Sequence, residues 1–233
     1  MERESTEAGP IAAVVFDVGG VLIDWDPRHL YRKIFTSDHR MELFLGEICT
    51  PEWHAQHDLG VAFDASVRAL VERHPGWADE IRAWGERFEE MWSGPVPGSV
   101  EVLAALRESD HRVPLYAATN WGSDTWELAT TLFPFLTWFD GALVSARVGL
   151  LKPDPRFFDL LVQRFDLDPP SSLYIDDNAG NIDAASRRGF VVCRFTGAAV
   201  LARRLEAMGL LPEARASGGT RGRTPHRTYP RPG

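Results

Sequence analysis

From Ser99 to Leu211 the sequence alternates short apolar runs with segments whose apolar residues recur at helical spacing. The runs are "VPLYAATN", "GALVS", "SLYIDDN" and "FVVCRF". Helical segments such as "SVEVLAALRES", "PRFFDLLVQRF" and "NIDAASRRG" separate them. A further run, "AAVVF", stands near the N terminus. Strands joined by helices of this length form βαβ units, which means a parallel sheet with right-handed crossovers. Such a sheet is covered on both faces, and its strands read as continuously apolar rather than alternating. The expectation is an α/β fold: a Rossmann-like core of five parallel strands with helices on both faces.

Between the first run and the rest lies a stretch with no good strand. "DWDPRHLYRKIF" starts a helix, with Asp26 as N-cap and Pro27 at the first helical position. "SDHRMELFLGEI", capped by Ser37 or Asp38, "FDASVRALVERH" and "WADEIRAWGERFEEMW" also carry helical spacing. "CTPEWHAQHDLG" reads as a polar, aromatic interruption between helices. Residues 27–94 are therefore expected to be an all-helical cap inserted into a core made of 11–26 and 95–211, with "GPVPGS" as the return linker. Residues 1–10 look loose. The Pro-, Gly- and Arg-rich segment 212–233 has the composition of a disordered tail.

Parallel strands place their C-terminal ends on one edge, and ligands of open α/β sheets bind there. The first run ends at Asp17, the second at Thr119 and Asn120, the fourth at Asp176, Asp177 and Asn178. Three acids so close repel unless positive charge stands among them. A hard divalent cation such as Mg²⁺ meets that need with carboxylates, water and substrate phosphate. Lys152, in "GLLKPDP" just after the third strand, offers a point charge at the same edge. The chain holds only two lysines, Lys33 and Lys152, among 25 basic residues, so a lysine here is informative. A compact ammonium fits a tight acidic site where a guanidinium fork does not.

Charge and cysteine usage narrow the partners. With 25 Lys+Arg against 33 Asp+Glu the formal net charge is -8, which argues against nucleic-acid and anionic-membrane partners. No apolar run approaches the roughly 20 residues of a membrane span. Two cysteines, Cys49 and Cys193, fit a cytoplasmic protein without a disulfide framework.

Together these motifs resemble the haloacid dehalogenase superfamily of hydrolases, over about residues 11–211. "VVFDVGG" is similar to its first motif, "LYAATN" to its second, "LLKPDP" to its third and "YIDDNAGNIDAA" to its fourth. The likeness is greatest to the group containing sugar-phosphate phosphatases and the phosphatase domain of soluble epoxide hydrolase. The resemblance implies Asp17 as nucleophile, with Thr119 and Lys152 holding the phosphoryl group. It implies Mg²⁺ on Asp17, the Gly19 carbonyl and Asp177, with Asp176 behind them or sharing the metal through water. It also implies a small phosphorylated substrate, a covalent aspartyl-phosphate, and a monomer or homodimer.

One position departs from the pattern. Most phosphatases of the superfamily carry a second Asp two residues after the nucleophile, as proton donor. Here Gly19 stands there. It can lend a carbonyl to a metal but cannot transfer a proton. Asp24, Asp26, His54 and His57 are candidate replacements, as are water and the substrate itself. In the cap, Trp53, His54, His57 and Asp58 could contact the substrate, with Asn120 and Trp121 beside them; for Trp53, packing in the cap's own core is an equal reading. Two other readings stand open: a metal-free 2-haloacid dehalogenase, against which the paired acids argue, and a phospho-ligand-binding module without turnover.

Overall fold

The computed structural model describes residues 9–212. The expected loose N terminus and tail therefore fall almost wholly outside the described residues. The core is a five-stranded, all-parallel sheet in the order β5-β4-β1-β6-β7. Its strands are β1 (Ala13–Phe16), β4 (Leu115–Thr119), β5 (Gly141–Val144), β6 (Ser172–Asp176) and β7 (Val191–Arg194). Each corresponds to one of the apolar runs. The side chains of these strands divide between two buried clusters. Val14, Phe16, Leu115, Ala117, Leu173 and Ile175 face one way. Val15, Ala118, Leu143 and Tyr174 face the other. Burial on both faces removes the period-2 alternation, which is why these segments are continuously apolar.

Helices α6 (Ser99–Glu108), α7 (Ser123–Leu132) and α11 (Ala198–Ala207) supply the first cluster, through residues such as Leu103, Ala129 and Leu205. Helices α9 (Pro155–Phe165) and α10 (Ala179–Arg187) supply the second, through Phe157, Phe158 and Ala185. α8 (Ser145–Val148) is a single turn directly after β5. β1 is central, with β4 on one side and β6 on the other. The register pairs Phe16, the last residue of β1, with Ala117 and with Ile175, so the three strands end at one edge, β4 running two residues further and β6 one. The strand order reverses here, and the crevice at that reversal is where open α/β sheets bind ligands.

Two elements depart from the sequence reading. β2 (Ile23–Trp25) and β3 (Trp92–Pro95) form an antiparallel ribbon, where no strand was expected and "GPVPGS" was read as linker. These strands are three and four residues long, and β3 contains Gly94 and Pro95, so only pairing across some 70 residues of chain creates them. Between the two strands run five helices: α1 (Pro27–Tyr31), α2 (Asp38–Glu47), α3 (Pro51–Asp58), α4 (Phe63–Arg73) and α5 (Ala78–Glu86). α3 is the second departure, because it occupies the segment read as an interruption. Its start follows standard chemistry: the Thr50 side chain accepts from the Trp53 N–H, and Pro51 sits in the first turn. Its residues show almost no amphipathic period, because Trp53 and His57 are buried while His54 and Asp58 face the core domain. Asp26 and Ser37 cap α1 and α2 as their sequence positions suggest.

Candidate active site

Asp17 follows β1, and its N–H donates to the Ile175 carbonyl at 2.8 Å, tying it to the end of β6. Its Oδ1 accepts from the Val18 N–H at 2.6 Å and faces Lys152 Nζ at 2.8 Å. Lys152 is almost wholly buried and also donates to Asp176 Oδ2 and to the Ala118 carbonyl, both at 2.9 Å. One ammonium thus joins the ends of β1, β4 and β6. Asn120 locks the lysine from behind. Its amide Nδ2 donates to the Lys152 carbonyl at 2.9 Å, and its Oδ1 accepts from the Lys152 N–H at 2.8 Å.

Asp176 and Asp177 are adjacent but differently placed. Asp176 is fully buried, and its oxygens also accept from the Tyr174 hydroxyl at 2.7 Å, the Asn178 N–H at 2.8 Å and the Asn181 amide at 3.0 Å. Asp177 is exposed and lines the cavity in front of Asp17. The carboxylates of Asp17, Asp176 and Asp177 have oxygens within 4.8 Å of one another. Gly20 makes that approach possible. Its φ is +75°, and a Cβ there would stand 2.6 Å from Asp177 Oδ2. A side chain at Gly20 would therefore push the acid away. Gly19 is not so constrained, since a Cβ there meets only the Trp121 ring, at 3.8 Å.

The charges are not balanced by Lys152 alone. Burial pushes Asp17 up to about 8, against the pull of Lys152 and with help from Asp176. Burial and the Asp176 charge also raise Asp177. Burial works against the charged form of Lys152, but Asp17 and Asp176 more than offset it and its pKa is raised. Burial likewise opposes ionisation of Asp176, yet Lys152 and the Tyr174 hydroxyl hold it below the usual carboxylate range. A set of hard oxygen donors with unmet demand for positive charge fits a divalent cation such as Mg²⁺. Thr119 supplies a second indication of a ligand. Its Oγ1 is buried at the same edge with no hydrogen-bond partner among the described residues.

These groups open into a cavity of ≈ 390 Å³. Trp25, His54, Asp58 and Phe88 from the ribbon and cap, and Trp121 from the core, wall its other side. The sequence reading expected Trp53 and His57 to contact substrate. The structure puts both inside the cap instead: His57 Nε2 lies 2.8 Å from Ser66 Oγ, and Trp53 packs edge-on to His57 and Trp84. They point inward because an α-helix turns positions 53 and 57 to one face and 54 and 58 to a neighbouring one. Of the candidate replacements for a second Asp, Asp24 faces His29 and Ser93 in the ribbon, and Asp26 caps α1. Among those four, His54 lines the cavity.

Ser145 was missed. It directly follows β5 as the first residue of α8, and its hydroxyl donates to the Asp58 carbonyl at 2.6 Å while accepting from the Trp121 N–H at 2.9 Å. It clasps the end of α3 to the core. The same strand-end rule that singled out Asp17 and Thr119 could have found it.

The family model of the haloacid dehalogenase-like hydrolases matches residues 11–189. The chain belongs to this family. It is 26% identical over 186 residues to a sesquiterpene phosphatase of Aspergillus oryzae, covering 79% of this chain and 89% of the relative. It is 24% identical over 189 residues to a D-ribitol-5-phosphate phosphatase of Bacteroides thetaiotaomicron, covering 77% and 89%. A haloacid dehalogenase family enzyme of the same bacterium, solved with magnesium and inorganic phosphate, superposes with TM-score 0.61 at 19% identity, over 80% of this chain and 95% of that one. An L-2-haloacid dehalogenase of Xanthobacter autotrophicus superposes with TM-score 0.55 at 18% identity, over 87% and 85%. These superpositions establish the fold they share with this hydrolase, and the two relatives named above are phosphatases.

Proposed function

We propose that this hydrolase is a Mg²⁺-dependent phosphatase of small phosphomonoesters, with sugar phosphates the first class to test. The carrying observation is the unmet demand for two kinds of ligand at one edge. Paired acids without enough positive charge call for a cation, and the unpartnered Thr119 hydroxyl beside Lys152 suits a phosphoryl oxygen. Asp17, the Gly19 carbonyl and Asp177 would hold the metal, while Asp176 is taken up by Lys152, Tyr174, Asn178 and Asn181. Bound there, Mg²⁺ supplies charge neutralisation to the transferring phosphoryl group.

The chain's own groups do the rest. Asp17 attacks phosphorus in line through a carboxylate oxygen, and the ester oxygen leaves. Lys152 and Thr119 stabilise the equatorial oxygens from positions fixed before substrate arrives. Water then attacks the aspartyl-phosphate, releasing phosphate and restoring Asp17. A carboxylate is a weak nucleophile, so positioning supplies much of the rate. A metal-free dehalogenase has no use for Asp177 beside Asp17, and a binding module without turnover would not hydrolyse. Hydrolysis of p-nitrophenyl phosphate with Mg²⁺, abolished by EDTA and by Asp17→Asn, supports the reading. Activity that survives either treatment refutes the mechanism, and metal-free chloride release from 2-chloropropionate replaces it with dehalogenation.

A further inference from the structure

The β1 turn offers no proton donor, because position 19 is glycine. Among the described residues that line the cavity, the carboxylates are Asp17, Asp58 and Asp177. Asp17 is paired with Lys152, and Asp177 belongs to the acidic group beside it. Asp58 stands apart from both, entering from the cap at the last residue of α3. Its side chain is only 14% exposed.

The surroundings of Asp58 favour a proton that moves. On its own helix the nearest ring nitrogen is His54 Nε2, 3.8 Å from Oδ2, beyond hydrogen-bond reach. Burial and the neighbouring His57 hold His54 down at about 3, and burial holds His57 at about 4, so neither is a cation at neutral pH. Arg147 on α8, the core helix packed against α3, is engaged by Glu127 at 2.6 Å. Across the cavity stand Lys152, Asp17 and Asp177. Burial pushes the Asp58 carboxyl up to about 7, with Lys152 pulling the other way. A group that titrates near the working pH can both give and take a proton. Its backbone is fixed relative to the core by the Ser145 clasp.

We propose that Asp58 is the general acid and base of this enzyme, delivered from the cap in place of the carboxylate missing at position 19. The inference rests on the phosphatase reading. As the Asp17–phosphorus bond forms and the ester P–O bond breaks, the Asp58 carboxyl gives its proton to the leaving oxygen, which departs as an alcohol. In the second step the Asp58 carboxylate takes a proton from water. The water oxygen bonds to phosphorus, the Asp17–phosphorus bond breaks, and phosphate leaves.

The test compares leaving groups. An alkoxide needs a proton to leave, whereas p-nitrophenolate does not. Asp58→Asn is expected to lower kcat/KM for alkyl phosphates by about 10²–10⁴-fold, the usual worth of general acid–base help, and for p-nitrophenyl phosphate by much less. It should also remove the fall in kcat/KM for alkyl phosphates above neutral pH, and let phosphoenzyme accumulate on the aryl substrate. Gly19→Asp placed in the Asp58→Asn background separates lost chemistry from lost folding. A Cβ fits at that position, and the new carboxylate should recover alkyl-phosphate turnover. Equal losses on both leaving groups that Gly19→Asp does not relieve, or no loss at all, overturn the proposal while a Mg²⁺-dependent wild type upholds the phosphatase reading. A wild type that hydrolyses no phosphate ester sinks both.

Discussion

Replacing Lys152 by methionine tests how the two halves of the site are held together. The ammonium is 2.8 Å from Asp17 Oδ1 and 2.9 Å from Asp176 Oδ2, and its side chain is 1% exposed. Methionine is of similar length and leaves no large void, so the effect is electrostatic rather than steric. Removing one partner of a buried ion pair typically costs about 3–5 kcal/mol, because the remaining charge is left without compensation. For a domain of this size each kcal/mol shifts Tm by about 2–4 °C, so Lys152→Met should lower Tm by about 6–20 °C in EDTA at pH 8. The pH dependence gives the sign. In the variant Asp17, already raised by burial, and Asp176, held low by Lys152, both lose the group that opposes their burial, so both folded pKa values lie above the unfolded value. Such groups contribute stability that is present below the unfolded pKa and lost as pH rises through the folded one. The defect should therefore be smaller at pH 5 than at pH 8. Adding Asp176→Asn removes one orphaned charge and should recover part of the loss in a double-mutant cycle. Thermal unfolding followed by circular dichroism at both pH values measures all of this. A Tm change under about 3 °C, or a defect that grows toward pH 5, refutes the account of Lys152 as the charge joining three strand ends.

Four further substitutions test the same geometry. Thr119→Val removes a hydroxyl with no partner among the described residues, so thermal unfolding should show Tm unchanged or raised. Its kcat/KM for phosphate esters should fall by about 10–100-fold, the worth of a hydrogen bond to a charged group. Gly20→Ala forces a Cβ to within 2.6 Å of Asp177 Oδ2 and should raise the Mg²⁺ concentration for half-maximal activity by about tenfold or more, from a left-handed residue's strain of about 1–2 kcal/mol plus the displaced ligand. Gly19→Ala, whose Cβ meets the Trp121 ring at 3.8 Å, should leave that concentration unchanged in the same titration. Ser145→Ala leaves the Trp121 N–H and the Asp58 carbonyl without their shared partner, and denaturant unfolding should show a loss of about 1–3 kcal/mol.

How much of this was readable in advance depended on the range of the interaction involved. "AAVVF" and "SLYID" carry their burial in their own composition, and parallel topology alone then brings Asp17, Thr119 and Asp176 to one edge. β2 and β3 carry no such signal. Ile23–Trp25 and Trp92–Pro95 become strands only because the cap returns the chain beside its point of departure. α3 had a local signal in Thr50-Pro51-Glu52, but apolar periodicity was the wrong ruler for a helix with one face in the cap core and another over a polar cavity. The same helix separates Trp53 and His57 from the substrate contacts that their residue types suggest. Residue type suggested a binding surface, and helix phase turned these two inward and His54 and Asp58 outward.

The division of labour between core and cap has a physical basis. Three groups on the core side are held where they must not move: Lys152 by three acceptors, Asp176 by four donors, and the Asn120 amide by both backbone groups of Lys152. Such fixed groups suit stabilisation of a transition state, which requires dipoles that do not reorganise. Proton transfer requires the opposite, a group whose two charge states are close in energy. Placed at position 19, a carboxylate would sit two residues from Asp17 at the edge where three acids already meet. Asp58 draws its environment from the other wall, among Trp25, Phe88, Trp121 and a neutral His54. Desolvation rather than acidic neighbours then sets its proton affinity. The Ser145 clasp becomes the point where the two walls must agree, because it joins the end of α3, which carries the cap's carboxyl, to the core.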